Sequence, residues 1–178
     1  MSIDIEANRA ALKWSLREKI GRVLWALCRP LFRWSPRPMR GWRRFLLRLF
    51  GAKVGRQVHV DPSARIFIPW NLTIGDDSSV GFDALLYNLG PLTIGERVTI
   101  SQRAHLCGGS HDFRGATMEL IKAPITIADE VWICADAFIG PGVKVGAGSV
   151  VAARGVVVRD VAKGIIVGGN PAKEIGKR

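Results

Sequence analysis

The sequence has no long apolar run, and its longest aliphatic stretches, such as residues 165–167, span only a few positions. A helix that crosses a bilayer needs roughly 20 apolar residues, so no membrane-spanning segment is expected. The first ten residues carry two acids and no apolar core, which argues against a secretory signal peptide. With 178 residues, 48% of them hydrophobic and 23% charged, the chain has the size and composition of one globular domain.

Cysteine is scarce as well. Cys28, Cys107 and Cys134 share no metal-ligand spacing and cannot all form disulfides. We therefore interpret them as reduced thiols of a cytosolic protein, with Cys107 and Cys134 as packing residues. They predict no metal site.

Acidic residues are nearly absent from the N-terminal third. Residues 1–56 contain 14 Lys and Arg but only 3 Asp and Glu, whereas residues 57–178 contain 12 of each kind. The whole net charge of +11 therefore belongs to the N-terminal segment, and the rest of the chain is balanced. Because the excess charge sits on an appendage, no nucleic-acid partner is expected.

Aliphatic residues recur every six positions along the rest of the chain. Three series come first: Val54-Val60-Ile66-Leu72, Ile74-Val80-Leu86-Leu92 and Ile94-Ile100-Leu106. The longest series follows them: Ile127-Ile133-Ile139-Val145-Val151-Val157. A period of six is neither the 3.6 residues of a helical turn nor the strict alternation of a long strand.

Such a repeat is typical of a parallel β-helix, in which each short strand ends at a corner and the next aliphatic side chain returns to the same interior. About three hexads complete one coil, and coils stack at roughly 4.8 Å by parallel strand pairing. Glycine and other small residues are expected at the corners, because a positive φ is cheap only for glycine. A β-sandwich is the alternative, but 17 aliphatic positions in four registers favour the solenoid.

Two segments break the repeat. Residues 107–124 interrupt it, and a loop ejected from a solenoid lies on the surface and commonly carries function. In the tail, Asn170-Pro171 predicts a turn that leads into a short helix. The predicted organisation is an α-helical arm at 1–53, an all-β solenoid at 54–168 and a tail at 169–178.

Further motifs accompany the repeat: Gly108-Gly109-Ser110-His111-Asp112, Val131-Trp132-Ile133, Gly140-Pro141-Gly142-Val143, Gly146-Ala147-Gly148-Ser149-Val150-Val151 and Gly169-Asn170-Pro171-Ala172-Lys173. Together they resemble the hexapeptide-repeat acyltransferases, which include galactoside, maltose, serine and streptogramin acetyltransferases. The basic arm that runs into residues 49–55 is most similar to acetyltransferases of colanic-acid and other exopolysaccharide gene clusters. The resemblance covers essentially the whole chain.

The resemblance implies a left-handed parallel β-helix, which is an exception to the right-handed crossover rule. It also implies acetyl-CoA as co-substrate, no metal, and a homotrimer whose active sites lie between neighbouring subunits. Transfer would be direct, without a covalent enzyme intermediate. A base must then take the proton of the attacking hydroxyl, and a donor must stabilise the oxyanion.

Imidazole, with an ordinary pKa near 6.5, suits the role of base at neutral pH. Of the histidines His59, His105 and His111, the resemblance places the family's base at His111. The backbone N–H of Ala135 matches the family's oxyanion donor, although Cys134 stands where the family usually has glycine.

Two residues are candidates for the contact with the acceptor, and the sequence does not decide between them. Asp83 matches a position where relatives often carry asparagine, and Asn88 lies five residues further on. Asp112 is open between orienting the imidazole and forming a turn.

The resemblance also implies a coenzyme A groove along the last coils. Trp132 would flank the pantetheine and the acceptor, and Ala153 would line the pantetheine arm. Arg159 and Lys173 would approach the phosphates. A packed aromatic on the solenoid wall is the alternative for Trp132, and solvated surface charges are the alternative for Arg159 and Lys173.

The arm contains two stretches with helical spacing of apolar residues, 11–28 and 41–51, joined by a proline-rich linker at 29–40. In the second stretch Arg43, Arg44 and Arg48 lie opposite the Trp, Phe and Leu side chains. This composition is typical of interfacial helices on anionic membranes. A cap over the open end of the solenoid is the alternative, and both can hold.

Two other functions compete with acetyl transfer. Zinc carbonic anhydrases also use this repeat and bind metal with three histidines, but the Asn-Pro-Ala-Lys tail favours the transferase. A non-catalytic scaffold is the second. For the transferase, the preferred acceptor is a sugar hydroxyl on a lipid-linked or nucleotide-linked glycan, with serine or a xenobiotic as alternatives. The expected location is the cytoplasm, at the inner face of the membrane if the arm binds lipid.

Overall fold

The computed structural model describes residues 3–178, which form three N-terminal helices followed by short strands. The helices are α1 (Ile5–Ala10), α2 (Leu16–Arg33) and α3 (Arg40–Leu49), and a 3₁₀ turn covers Pro69–Asn71. None of the helices described for residues 3–178 has the length and apolarity needed to cross a bilayer. The strands are β1 (Lys53–Val54), β2 (His59–Val60), β3 (Arg65–Ile66), β4 (Leu72–Ile74), β5 (Ser79–Val80), β6 (Leu85–Tyr87), β7 (Leu92–Ile94), β8 (Thr99–Ile100), β9 (His105–Cys107), β10 (Gly109–His111), β11 (Leu120–Lys122), β12 (Ile125–Ile127), β13 (Trp132–Ile133), β14 (Phe138–Ile139), β15 (Lys144–Val145), β16 (Val150–Val151), β17 (Val156–Val157), β18 (Ile165–Gly169) and β19 (Ala172–Lys177).

Most strands stack in parallel and form the three faces of a prism. Face A has the order β1-β4-β7-β12-β15, and face C has β3-β6-β9-β14-β17. Face B has β2-β5-β8-β13-β16-β18, with β19 added at its edge. Each complete coil contributes one strand to every face, so the chain is a parallel β-solenoid of about six turns. The predicted solenoid is confirmed.

The six-residue series forms the interior. On face A, Ile74 pairs in register with Ile94, which pairs with Ile127. All three are at most 2% exposed. Removing these aliphatic columns from water contributes about 25 cal/mol per Å² of apolar surface, so the same residues stabilise each coil and fix its register.

The glycines that follow core residues do not serve the predicted purpose. Gly75 and Gly146 lack a positive φ; a Cβ would lie 2.6 Å from the next coil's backbone at Gly75 and 2.5 Å at Gly146. Left-handed backbone lies instead three residues after the core position, where the chain has glycine at Gly142 (φ 81°) and Gly148 (φ 67°) but aspartate at Asp83 (φ 53°) and Asp136 (φ 58°). The expectation of positive φ was therefore wrong for Gly75 and Gly146, which are needed because stacked coils approach too closely for a side chain.

The helices α2 and α3 cover the open end of the first coil. Trp25, Phe32, Leu46 and Leu47 are each 3% exposed or less and join the solenoid core. The indole N–H of Trp25 donates to the carbonyl of Ile66 at 2.8 Å. The arm therefore caps the solenoid.

Three arginines of α3 contact the solenoid. Arg43 is 2% exposed, and its Nε donates to the carbonyl of Val60 at 2.7 Å. Arg44 and Arg48 donate to other carbonyls of the first coil at 3.2 and 2.9 Å. No other strand within residues 3–178 pairs with this end of the coil, so its carbonyls need donors. The predicted exposed basic face of α3 was wrong for Arg43, which is buried.

The predicted linker is shorter than expected. Helix α2 starts at Leu16, after a capping box of Ser15 and Glu18, and continues through Pro30 to Arg33. Proline removes one helical hydrogen bond, but burial of Phe32 in the following turn favours continuing the helix. Only residues 34–39 remain as the connection to α3.

The predicted C-terminal helix was wrong. Residues 172–177 form β19, which pairs antiparallel with β18 after the turn at Asn170-Pro171. β18 is the last strand stacked on face B, and its free edge offers unpaired backbone groups. Pairing with that edge satisfies the backbone of the tail better than an isolated helical turn would.

Candidate active site

His111 lies at the end of β10, in a hairpin of β10 and β11 that leaves the solenoid between face C and face A. Its side chain is exposed, and its Nδ1 lies 2.7 Å from the carbonyl oxygen of Met118. A carbonyl oxygen can only accept, so the neutral imidazole carries its proton on Nδ1. The Nε2 lone pair is thereby open, which is the form that a general base acting through Nε2 requires.

Asp112 does not orient this imidazole. Its Oδ1 accepts from the backbone N–H of Arg114 at 3.0 Å, so the side chain closes a turn at the hairpin tip. Of the two interpretations left open by the sequence, the structure selects the turn.

Three of the predicted site residues lie along the corner that joins face B to face C. Ile133 pairs with Val151, so Ala135 and Ala153, each two residues later, occupy the same corner position on successive coils. Asp83 lies on this corner two coils closer to the arm. The structure therefore places the predicted oxyanion donor, pantetheine contact and acceptor contact on one edge.

The backbone N–H at Ala135 is open. Within residues 3–178 it donates to no acceptor. The N–H of Cys134 donates to the carbonyl of Val151 at 2.9 Å, as the N–H of Ser101 does to Ile133 at 2.8 Å one coil earlier. Cys134 in place of glycine thus leaves the regular backbone path unchanged, and the amide beside it can donate to an oxyanion.

Trp132 projects from face B beside the same corner. It is 48% exposed, and its indole N–H donates to the hydroxyl of Ser101 at 2.9 Å. The ring is therefore held in place but not packed away, which leaves an aromatic surface available to a ligand.

The structure separates the two candidates for the acceptor contact. The Asp83 side chain is 46% exposed. Asn88 is 1% exposed: its Oδ1 accepts from the amides of Phe67 and Ile68, and its Nδ2 donates to the carbonyl of Ile68 at 2.6 Å. The Asn88 side chain is thus buried and engaged at both ends, which argues against Asn88 as the acceptor contact.

Arg159 and Lys173 lie at the C-terminal end of the solenoid, beyond Ala153. Both are exposed; Arg159 follows β17, and Lys173 lies on β19 opposite Gly168. Arg159 lines a cleft together with Ala172, the residue before Lys173. Lys173 does not line this cleft, which also contains the acidic residues Asp160 and Glu174.

The other two histidines are elsewhere. His59 lies on face B, with its Nε2 2.7 Å from Arg40, and burial together with the charge of Arg40 lowers its pKa. His105 lies on face C, and its buried Nε2 has no hydrogen-bond partner among residues 3–178; burial together with the charge of Arg65 lowers its pKa. In the part of the chain that the structure describes, no group of three His, Cys, Asp or Glu could hold a metal ion.

A single chain does not bring all the predicted residues together. The hairpin with His111 leaves the solenoid at the edge between face C and face A, whereas Asp83 and Ala135 lie at the edge between face B and face C. Face C separates these two edges. One chain therefore presents the His111 imidazole on one edge and the open Ala135 N–H on another.

Two features of the site were missed at the sequence level. Face C carries an edge-to-face series of rings, with Phe67 4.6 Å from Tyr87 and His105 5.2 Å from Phe138 between centroids. Each of these residues flanks a core position of the hexad repeat, which was an available signal. The second feature is a contact between α1 and the hairpin, and no local pattern predicts it because about 110 residues separate the partners.

The chain matches no protein-family model. The protein WcaF of Escherichia coli K12 is provisionally named a colanic acid biosynthesis acetyltransferase. It is 45% identical to this chain over 157 residues, which cover 88% of this chain and 86% of WcaF. The galactoside O-acetyltransferase of Escherichia coli K12 is 29% identical over 136 residues, covering 75% of this chain and 67% of that enzyme.

Solved structures agree with these relatives. A hexapeptide-repeat acetyltransferase of Vibrio cholerae, complexed with acetyl-CoA, is 30% identical with a TM-score of 0.82, covering 92% of this chain and 90% of that one. A galactoside acetyltransferase in complex with coenzyme A has a TM-score of 0.86 at 24% identity, covering 99% and 92% of the two chains, and shows the same fold. The solenoid thus matches a left-handed β-helix.

Proposed function

Because this chain belongs to the hexapeptide-repeat acetyltransferase family and is an acetyl-CoA-dependent acyltransferase, we propose that it transfers the acetyl group to a hydroxyl of a sugar or glycan intermediate. The names of two relatives, for colanic acid biosynthesis and for galactosides, support this acceptor class. The observation that carries the chemistry is His111, whose Nδ1 is held by the Met118 carbonyl while Nε2 is open.

In the proposed reaction, His111 first accepts a proton from the acceptor hydroxyl and later donates it to the leaving thiolate. The acceptor hydroxyl attacks the thioester carbonyl carbon while His111 Nε2 takes its proton. The resulting oxyanion accepts a hydrogen bond from the N–H of Ala135. Collapse of the tetrahedral intermediate breaks the carbon–sulfur bond, and the imidazolium returns the proton to the departing thiolate. The products are the acetyl ester and coenzyme A, and no covalent enzyme intermediate forms.

Coenzyme A would lie along the corner between faces B and C. Ala135 and Ala153 stack there with small side chains, and the exposed Trp132 ring stands beside them. Further along the solenoid, Arg159 and Lys173 supply positive charge for the phosphates. On the same corner, the Asp83 carboxylate can accept hydrogen bonds from acceptor hydroxyls.

We infer that the complete site forms between copies of a homotrimer. His111 and Ala135 lie on opposite edges of face C within one chain, and a neighbouring copy is needed to place a base beside an oxyanion donor. A closed ring of three copies, which the family resemblance implies, would form three such sites.

We also propose that the arm contacts an anionic membrane. The side of α2 that faces away from the solenoid carries large apolar residues that are 52–73% exposed: Leu16, Ile20, Val23, Leu24, Leu27 and Leu31. Cations flank this stripe: Arg17, Lys19, Arg22, Arg29 and Arg33. An exposed apolar helix face with cationic flanks is typical of helices that lie at a lipid surface.

Charge favours lipid over a second copy as the occupant of this stripe. The N-terminal segment carries all of the +11 net charge, and residues 57–178 are balanced, so the body offers no net opposite charge to the arm. An anionic leaflet offers the opposite charge, and its attraction contributes about 1 kcal/mol of binding free energy for each cation near the surface. This contact would place the enzyme at the inner face of the cytoplasmic membrane, near a lipid-linked acceptor.

The test is acetyl-CoA turnover against a panel of sugars, glycolipids, serine and xenobiotic alcohols, with product mass measured for each. We expect acetylation of a sugar hydroxyl. Transfer only to serine or to a xenobiotic would overturn the acceptor class, and calorimetry without coenzyme A binding at millimolar concentration would overturn the enzyme assignment.

A further inference from the structure

Helix α1 lies against the tip of the hairpin formed by β10 and β11. The backbone N–H of Asp4 donates to the carbonyl of Ala116 at 2.8 Å. The side-chain amide of Asn8 donates to the carbonyls of Thr117 and Met118, the latter at 2.9 Å. Three consecutive carbonyls of the hairpin tip therefore accept hydrogen bonds from α1.

One of these carbonyls is shared with the histidine. The oxygen of Met118 accepts from Asn8 Nδ2 at 2.9 Å and from His111 Nδ1 at 2.7 Å. Met118 also has a φ of 44°, in the left-handed region that is costly for a large non-glycine residue. A backbone in that region persists only when its surroundings hold it. Two side chains bind the Met118 carbonyl, the His111 imidazole and the Asn8 amide, and Asn8 is the one that comes from outside the hairpin.

A second set of contacts holds the other strand of the hairpin. The Trp14 ring lies between two cations, with Lys122 Nζ 3.6 Å and the Arg22 guanidinium carbon 4.3 Å from its centroid. Lys122 also lies 3.4 Å from the carboxylate of Glu18 at the start of α2. The arm therefore contacts the hairpin at two places, Lys122 at the end of β11 and Met118 at the hairpin tip.

We propose that Asn8 is a positioning residue for His111. By holding the Met118 carbonyl, Asn8 keeps the proton of the neutral imidazole on Nδ1 and leaves Nε2 open. The inference rests on the proposed role of His111 as the general base. Without Asn8 the Met118 peptide unit can rotate, and the ring then also adopts the form with its proton on Nε2, which cannot take a proton from the acceptor.

The experiment compares Asn8→Ala, Asn8→Asp and Asn8→Gln in the full chain, with Arg9→Ala as the matched control. Arg9 is an exposed residue on the same helix. We expect Asn8→Ala to lower kcat by about 10–100-fold, the usual effect of removing a group that orients a functional histidine, with KM for acetyl-CoA unchanged. Asn8→Asp should be at least as impaired, because a carboxylate cannot donate to carbonyls, whereas Asn8→Gln retains a donor and should recover part of kcat. Arg9→Ala should match the wild type.

A second readout does not depend on activity. Long-range nitrogen–proton correlation spectra of the imidazole, assigned with His111→Ala, report which ring nitrogen carries the proton. We expect Nδ1–H in the wild type and in Asn8→Gln, and a mixture of both forms in Asn8→Ala. An unchanged Nδ1–H form together with wild-type kcat in Asn8→Ala would overturn the proposal. If His111→Ala remained active, the base assignment would fall, and the imidazole spectra would still decide whether Asn8 controls the ring.

Discussion

The guanidinium of Arg33, the last residue of α2, lies 3.6 Å from the carboxylate of Asp83 on the corner between faces B and C. Both side chains are about half exposed, so the pair contributes little to stability. The ion pair matters because it connects the end of α2 to the edge of the solenoid on which Ala135 lies. The arm therefore reaches both the hairpin of His111 and the proposed acceptor contact.

Removing the Asp83 carboxylate should weaken acceptor binding. A hydrogen bond to a charged group is worth about 1.5–3 kcal/mol, so Asp83→Ala should raise KM for the acceptor by roughly 10–150-fold. KM for acetyl-CoA should change little. Arg33→Ala is the matched control, since it removes the ion pair but keeps the carboxylate, and its acceptor KM should stay near that of the wild type. Equal KM values in Asp83→Ala and the wild type would exclude Asp83 as the acceptor contact.

Replacing His111 with alanine or asparagine should lower kcat by about 10²–10⁴-fold, which is the usual contribution of a positioned general base. Acetyl-CoA affinity and the fold should survive, because His111 is exposed and lies outside the core columns. The comparison is His105→Ala, in which a half-buried imidazole on face C is lost, and its kcat should remain close to the wild type. If His105→Ala were inactive and His111→Ala active, the base would be misplaced.

Mixing two variants that each lack one proposed site residue tests whether the site is shared between copies. His111→Ala supplies an intact edge with Trp132 and Ala135, and Trp132→Ala supplies an intact hairpin with His111. If sites form between copies, subunit exchange in an equal mixture should restore about a quarter of wild-type activity per site. Each variant alone, taken through the same exchange, is the control. No recovery in a mixture shown by mass spectrometry to contain mixed trimers, or a fully active monomer by light scattering, would contradict the assembly.

Two glycine substitutions should act in opposite directions on stability. At Gly75 a Cβ would lie 2.6 Å from backbone of the next coil, so Gly75→Ala should lower the free energy of unfolding by about 2–4 kcal/mol through overpacking. At Gly41, the second residue of α3, no atom of residues 3–178 outside the neighbouring helical backbone lies within 4 Å of the added Cβ. Gly41→Ala should therefore raise the free energy of unfolding by about 0.5–1 kcal/mol. Urea denaturation measures both, and a neutral Gly75→Ala would contradict the close approach of the coils.

Lipid binding should depend on the apolar stripe of α2. The double variant Ile20→Ser and Leu27→Ser should lose most of its sedimentation with vesicles containing anionic phospholipid, because both side chains are more than half exposed. Acetyl-CoA affinity should be unchanged. Ile175→Ser, an equally exposed apolar residue on β19, is the control. Unaltered sedimentation of the double variant would contradict the membrane contact, and a smaller oligomer would assign the stripe to an interface between copies.

Deleting residues 1–50 tests whether the arm is needed as a cap over the first coil. The deletion also removes Trp25, Phe32, Leu46 and Leu47, which bury the open end of the first coil. We expect the truncated chain to aggregate, because that end would expose both apolar side chains and unpaired carbonyls. Size-exclusion chromatography would show this, and a stable monodisperse product would mean that the cap is dispensable.

The six-residue period by itself determined the solenoid, the position of its core residues and the loop at 107–124. This was possible because every coil has the same requirement: an aliphatic side chain must point into the interior once every six residues. The position of His111 in the break of the repeat, and the balance of charge between arm and body, were equally visible in the sequence.

Tertiary structure decided what depends on contacts between distant residues. The argument against Asn88 came from three hydrogen bonds that hold its buried side chain. The burial of Arg43 came from carbonyls at a coil end that lacks a neighbouring strand. The tail became a strand because the edge of β18 was free to pair. The link from Asn8 to His111 runs through the carbonyl of Met118, which lies 110 positions from Asn8 along the chain. Local propensity carries no information about such contacts, since they exist only once the coils and the arm have packed together.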